Sequence, residues 1–141
     1  MSRIIRIAPL LLVIVAAVLV PATALSSHGP AIVKFRMVEW DILPLNATKS
    51  HGPIAKTTFI VQNAGKLEHE FVVIRTNRAA GQLAKPGAKE TPENGAVGEI
   101  GSIPAGKTKT LVLKLKQGHY ALICNIEGHW SNGQFVDFYI H

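Results

Sequence analysis

The chain has 141 residues, a formal net charge of +6, and a hydrophobic fraction of 48%. That is enough apolar material for one folded domain, and it excludes an intrinsically disordered chain. The lysines do not cluster and no basic run is interleaved with aromatics, which excludes nucleic acid as the partner.

Arg3 and Arg6 make a short basic start. Ile7 to Val20 is apolar apart from Pro9, and Pro21 leads to the small-x-small pattern Ala22-Thr23-Ala24. This is the layout of a secretory signal peptide. The apolar run is short against the roughly 20 residues of a spanning helix. A cleaved signal over residues 1–24 is therefore expected, with an uncleaved membrane anchor as the rival. Either way the rest of the chain is expected to be exported, periplasmic or extracellular. Removing the two arginines takes the charge from +6 to +4, which favours an acidic or anionic partner; an acidic or membrane-bound redox protein is the expected one.

Leu25 to Pro30 reads as a flexible lead, and residues 31–141 as one domain. From there strand signals dominate and no amphipathic helix stands out. Ala31 to Trp40 is rich in Val, Ile and Phe, and Pro44 and Asn46 end it. Thr57 to Gln62 follows, closed by the turn Asn63-Ala64-Gly65, and then His69 to Thr76. Asn77 to Ala96 is a long segment of Gly, Pro, Ala and charge, expected to be a functional or mobile loop. Ile103-Pro104-Ala105-Gly106 turns into Thr108 to Lys116, where Leu111, Leu113 and Leu115 mark one buried face. His119 to Asn125 and Gln134 to Ile140 complete the set. Six or seven short strands between turns point to an all-β sandwich or barrel.

Export gives the lone cysteine meaning, because Cys124 has no internal disulfide partner. Parity puts Tyr120, Leu122 and Cys124 on one strand face, the buried one. A thiolate in an apolar interior is costly unless a metal neutralises it. His129 follows across a turn with Gly128, and Gln134 across a second turn with Gly133. His69 shares a strand face with Phe71 and Val73 and so points inward. One thiolate, two imidazoles and a weak axial group are the ligand set of a type 1 copper electron-transfer centre.

On these residues the chain resembles the cupredoxins over about residues 31–141. The Cys124-x4-His129-x4-Gln134 loop carries the resemblance, with His69, the Asn63-Ala64-Gly65 turn and the Ile103-Pro104-Ala105-Gly106-Lys107-Thr108 turn in support. The resemblance implies a Greek-key β-sandwich holding one copper ion near one end, with His69, Cys124 and His129 as equatorial ligands. Two departures stand out. Most members end the loop with an axial Met, whereas this chain has Gln134, as stellacyanin-like members do. Met1 and Met37 lie far from the loop in sequence. Plastocyanin- and azurin-like members commonly place Asn, which braces the thiolate loop, directly after the first His. Here Glu70 stands there, leaving Asn63 or Asn125 as candidates for the bracing.

His119 falls on the opposite strand face from Cys124 and is left out of the site. His28 and His51 each precede Gly-Pro and support a second metal site only weakly. Trp130 is expected either to form an apolar docking surface or to cover the site as a rim aromatic. Zinc would normally use more cysteines, and cysteine nucleophilic catalysis needs an exposed thiolate. The expected function is therefore one-electron transfer by a monomeric, non-enzymatic copper protein that meets a redox partner, and a membrane only if the N-terminal segment is retained. The alternative is a copper-binding or delivery protein of the same fold without an electron-shuttle role.

Overall fold

The computed structural model describes residues 31–46 and 54–141. The signal or anchor (1–24), the lead (25–30), His28 and His51 lie outside them. Among the described residues, eight strands form two antiparallel-dominated sheets. β1 (Ala31–Val38), β2 (Asp41–Pro44), β3 (Ile54–Asn63) and β6 (Thr108–Lys116) make the first, in the order β2-β1-β3-β6. β4 (His69–Arg75), β5 (Ala96–Ile103), β7 (Gly118–Ile123) and β8 (Phe135–Ile140) make the second, in the order β5-β4-β7-β8. β1 and β3 run parallel; the other pairs are antiparallel. The only helical elements among the described residues are the 3-10 turns Ala80–Gln82 and Trp130–Asn132.

β1 alternates perfectly, with Ala31, Val33, Phe35 and Met37 buried and Ile32, Lys34 and Arg36 exposed. Such period-2 alternation is what a strand with one dry face requires. The sheets meet through aromatic rings. Phe35 and Phe59 of the first sheet pack on Phe71 of the second at 5.7 and 5.6 Å between centroids, and Phe59 meets Phe138 at 5.5 Å. Each fully buried ring contributes about 1.5–3 kcal/mol of transfer free energy. Cys124 belongs to this same core cluster.

The structure departs from the sequence reading in four places. β2 and β5 bring the strands to eight. β4 and β7 are buried on both faces, not one: Phe71, Val73, Tyr120 and Leu122 face the other sheet, while Val72, Ile74, Ala121 and Ile123 enter a second cluster with Ala80, Leu83 and Trp130. The segment after Asn77 forms that second cover. Ala80, Leu83 and Thr91 are buried, and the segment ends in β5. The expected dry face of β6 is only graded, with Leu115 buried and Leu111 and Leu113 half-buried.

Candidate metal centre

His69 opens β4, where it pairs with Ile103. Cys124 follows the last residue of β7, a strand that pairs with β4. The chain then makes two tight returns. His129 N–H donates to Ile126 O at 2.9 Å, and Gln134 N–H to His129 O at 3.2 Å. Gly128 (φ 85°) and Gly133 (φ 108°) supply the positive φ angles of these returns, which side-chain-bearing residues adopt only with strain. The backbone then closes where Cys124 N–H donates to Gln134 O at 3.1 Å.

These returns bring three ligand atoms together. Cys124 Sγ lies 3.3 Å from His129 Nδ1 and 4.0 Å from His69 Nδ1, and the two Nδ1 atoms are 3.3 Å apart. A first-row ion in a trigonal set, about 2.0 Å from nitrogen and about 2.3 Å from sulfur, would space the nitrogens by about 3.5 Å and each from the sulfur by about 3.7 Å. The observed triangle fits. His69 and Cys124 are fully buried, and His129 is 7% exposed. Among the described residues this is the one group of three or more His, Cys, Asp or Glu able to hold a metal ion.

Gln134 is also fully buried. Its Nε2 donates to Val38 O at 2.6 Å, and its Oε1 has no hydrogen-bond partner. Exchanging the two amide atoms would set acceptor against acceptor, so Val38 O fixes which atom is oxygen. An orphaned amide oxygen inside a protein costs about 1–3 kcal/mol. Since the amide lies beside His69, that cost is relieved if the oxygen faces a cation.

Burial pushes the Cys124 thiol up from its ordinary value. Backbone N–H groups of Glu70 and Ile126 pull it down, and the Glu70 charge pushes it up again. Burial likewise pushes the His69 imidazole down from 6.5. His129 adds to this push, while Glu39 and Gln134 oppose it. Without a cation, burial therefore favours the neutral thiol of Cys124 and the neutral imidazole of His69. A cation reverses the balance for the sulfur.

The bracing that Glu70 seemed to forfeit is present, and Glu70 provides it. Its carboxylate accepts the backbone N–H of Asn125 at 2.8 Å, and its own N–H points to Cys124 Sγ at 3.4 Å. Asn125 extends the brace through Thr91, accepting from Thr91 N–H at 2.7 Å and donating to Thr91 O at 3.0 Å. On the other side, Asn63 donates to Leu67 O and Ile103 O, both at 2.7 Å, fixing the approach to His69. Both asparagines thus support the site without touching the sulfur.

His119 is engaged elsewhere, with Thr76 O at 2.8 Å and Asp137 at 2.7 Å. Trp130 is neither a docking aromatic nor a cover for the metal site. It is buried in the second cluster and donates to Ala80 O at 2.9 Å. The aromatic beside His129 is Trp40, edge-on at 5.5 Å and 47% exposed. Sequence reasoning missed it, although a tryptophan in the turn after a perfectly alternating strand was a visible signal. Met37, remote in sequence, is buried in the cluster that includes Cys124.

No family model and no curated protein matches the chain. Solved structures do. Auracyanin A, titled a "blue" copper protein, from Chloroflexus aurantiacus superposes with a TM-score of 0.57 at 16% identity, over 80% of this chain and 100% of that one. Reduced auracyanin from Roseiflexus castenholzii gives 0.55 at 13%, over 81% and 98%. Rusticyanin from Thiobacillus ferrooxidans gives 0.54 at 17%, over 80% and 79%. The fold is that of the cupredoxins. Within this cupredoxin sandwich, the His-Cys-His cluster sits where β4 begins and the β7–β8 connection folds back.

Proposed function

We propose that this cupredoxin-fold chain is an exported mononuclear type 1 copper protein that carries one electron, with His69, Cys124 and His129 as equatorial ligands and Gln134 as the axial one. The observation that carries the reading is the buried triangle of one sulfur and two Nδ1 atoms beside an amide oxygen without a partner. Bound there, copper would supply a Cu(I)/Cu(II) couple. The chain's own contribution is constancy. The strands hold His69 and Cys124, the Glu70–Asn125 bond holds the loop, and the Val38–Gln134 bond holds the amide, so little rearrangement accompanies a change of charge. His129, the less buried imidazole, and exposed Trp40 against it give the site its nearest approach to solvent and to a redox partner.

The state of the thiol supports a non-enzymatic role. Cys124 is fully buried and its thiol is pushed up by burial, the opposite of an activated nucleophile. Export is supported by the Arg3–Ala24 layout in the sequence. Among the described residues no helix is long and apolar enough to cross a membrane.

The test is a visible spectrum of the full-length protein after one equivalent of Cu(II). An intense thiolate-to-copper charge-transfer band, absent in Cys124→Ser and cycling on reduction and reoxidation without metal loss, is expected. Weak ligand-field bands alone would overturn the assignment of Cys124. A band that appears but loses its copper on the first reduction would favour delivery over electron transfer.

A further inference from the structure

The two outer faces of the sandwich are treated differently. That of the second sheet is covered by Ala80, Leu83 and Trp130. That of the first carries Lys34 and Arg36 on β1, Lys56 on β3, and Lys114 and Lys116 on β6, all exposed. No acid stands among the outward positions of these three strands, and the segments outside the described residues contain none either; the one acid on the face is Asp41 of the edge strand β2, opposite Val38, at the other end of the sheet from Lys56 and Lys114. The ion pairs of the described residues, Lys89–Glu127 and His119–Asp137, lie elsewhere.

Lys56 and Lys114 are direct register partners across β3 and β6. Like charges directly opposite in an antiparallel pair destabilise a sheet. Here no neighbouring carboxylate on the face relieves them. The middle of the face, Thr58, Ile60, Thr110 and Val112, is uncharged, and Val112 is 50% exposed. The face thus has cations along β1, where Lys34 stands beside Ile60, and at one end of the β3–β6 pair, whose uncharged middle can approach a surface closely.

We propose that this outer face of β1, β3 and β6 docks on an anionic lipid bilayer. The fit is one of charge and shape. The cations are spread over three adjacent strands of the sheet rather than lining a groove, and each basic side chain near an anionic leaflet adds to attraction within a Debye length. No aromatic stands among the outward positions of β1, β3 and β6, so single-stranded nucleic acid finds no stacking platform there.

The experiment is co-sedimentation of the full-length protein with vesicles of phosphatidylcholine alone and vesicles carrying one third phosphatidylglycerol, at low and at high salt. The segment upstream of β1 is common to all variants, so differences between variants in the ratio of binding to the two vesicles report the charged face. A preference of at least tenfold for the anionic vesicles, lost at high salt, is expected. Lys34→Glu/Lys114→Glu should abolish it, and Lys85→Glu/Lys107→Glu, with the same change of net charge, should keep it. Far-ultraviolet circular dichroism checks that each variant folds. Equal loss in both double variants would reduce the effect to net charge and overturn the proposal. So would indifference to phosphatidylglycerol, or capture by a duplex DNA competitor in place of the vesicles.

Discussion

The Glu70 carboxylate and the Asn125 backbone N–H form a 2.8 Å hydrogen bond across the mouth of the thiolate loop, while Glu70 N–H approaches Cys124 Sγ at 3.4 Å. One residue thus clamps the loop from both its backbone and its side chain.

Replacing Glu70 with alanine leaves the Asn125 N–H without its acceptor, a loss of about 1–3 kcal/mol when such a group is shielded from water. Glu70→Gln keeps an oxygen acceptor and should lose less. Denaturant unfolding of the metal-free protein reads both. The copper-loaded Ala variant should also show a broader, weaker charge-transfer band than the Gln variant.

Gln134→Met exchanges a hard amide oxygen for a soft thioether and should raise the reduction potential, because the softer donor favours Cu(I). Protein-film voltammetry measures it. Met37→Leu is the control and should leave the potential near its starting value. An unchanged potential in Gln134→Met would remove Gln134 from the coordination sphere.

Because burial holds the Cys124 thiol protonated through neutral pH, loading Cu(II) should release its proton. A weakly buffered solution with an indicator dye should acidify on copper addition, and Cys124→Ser should release less. Alkylation of the metal-free thiol at neutral pH should be slow.

His69 titrates below its ordinary 6.5 in the folded state, chiefly from burial. The unfolded chain therefore binds the proton more readily. Stability of the metal-free protein is fully present above 6.5 and is lost as pH falls from there toward the depressed folded value. Urea midpoints measured on either side of pH 6.5 should fall on the acid side, and His69→Gln should flatten that slope.

Trp130→Phe removes the indole N–H that holds Ala80 O. An orphaned buried carbonyl costs about 1–3 kcal/mol, and hydrogen exchange should rise over residues 77–91 while the copper spectrum changes little.

The Cys124–His129–Gln134 spacing was legible because it is local: two glycine-borne returns over ten residues. His69 was legible by parity along its own strand. The braces were not, because Glu70 meets Asn125 and Gln134 meets Val38 only after strands distant in sequence have paired. β5 was hidden by its composition. Ala96–Ile103 contains two glycines and follows a loop, and its pairing with β4 is broken by bulges. The second buried face of β4 was written in the unbroken run Phe71-Val72-Val73-Ile74, which signals cover on both sides. A search for alternation alone passes over such a run.

The three-residue cluster belongs wholly to the second sheet and its connection, while the Gln134 amide is moored to Val38 at the end of β1 in the first. A slip of one sheet over the other would drag the amide oxygen and leave the sulfur and both imidazoles where they are. With Gln134 as the proposed fourth donor, its amide would be a gauge of how the two halves of the sandwich sit, and strain applied to the scaffold would be read out at a bound copper as a change in colour and potential before any strand parted.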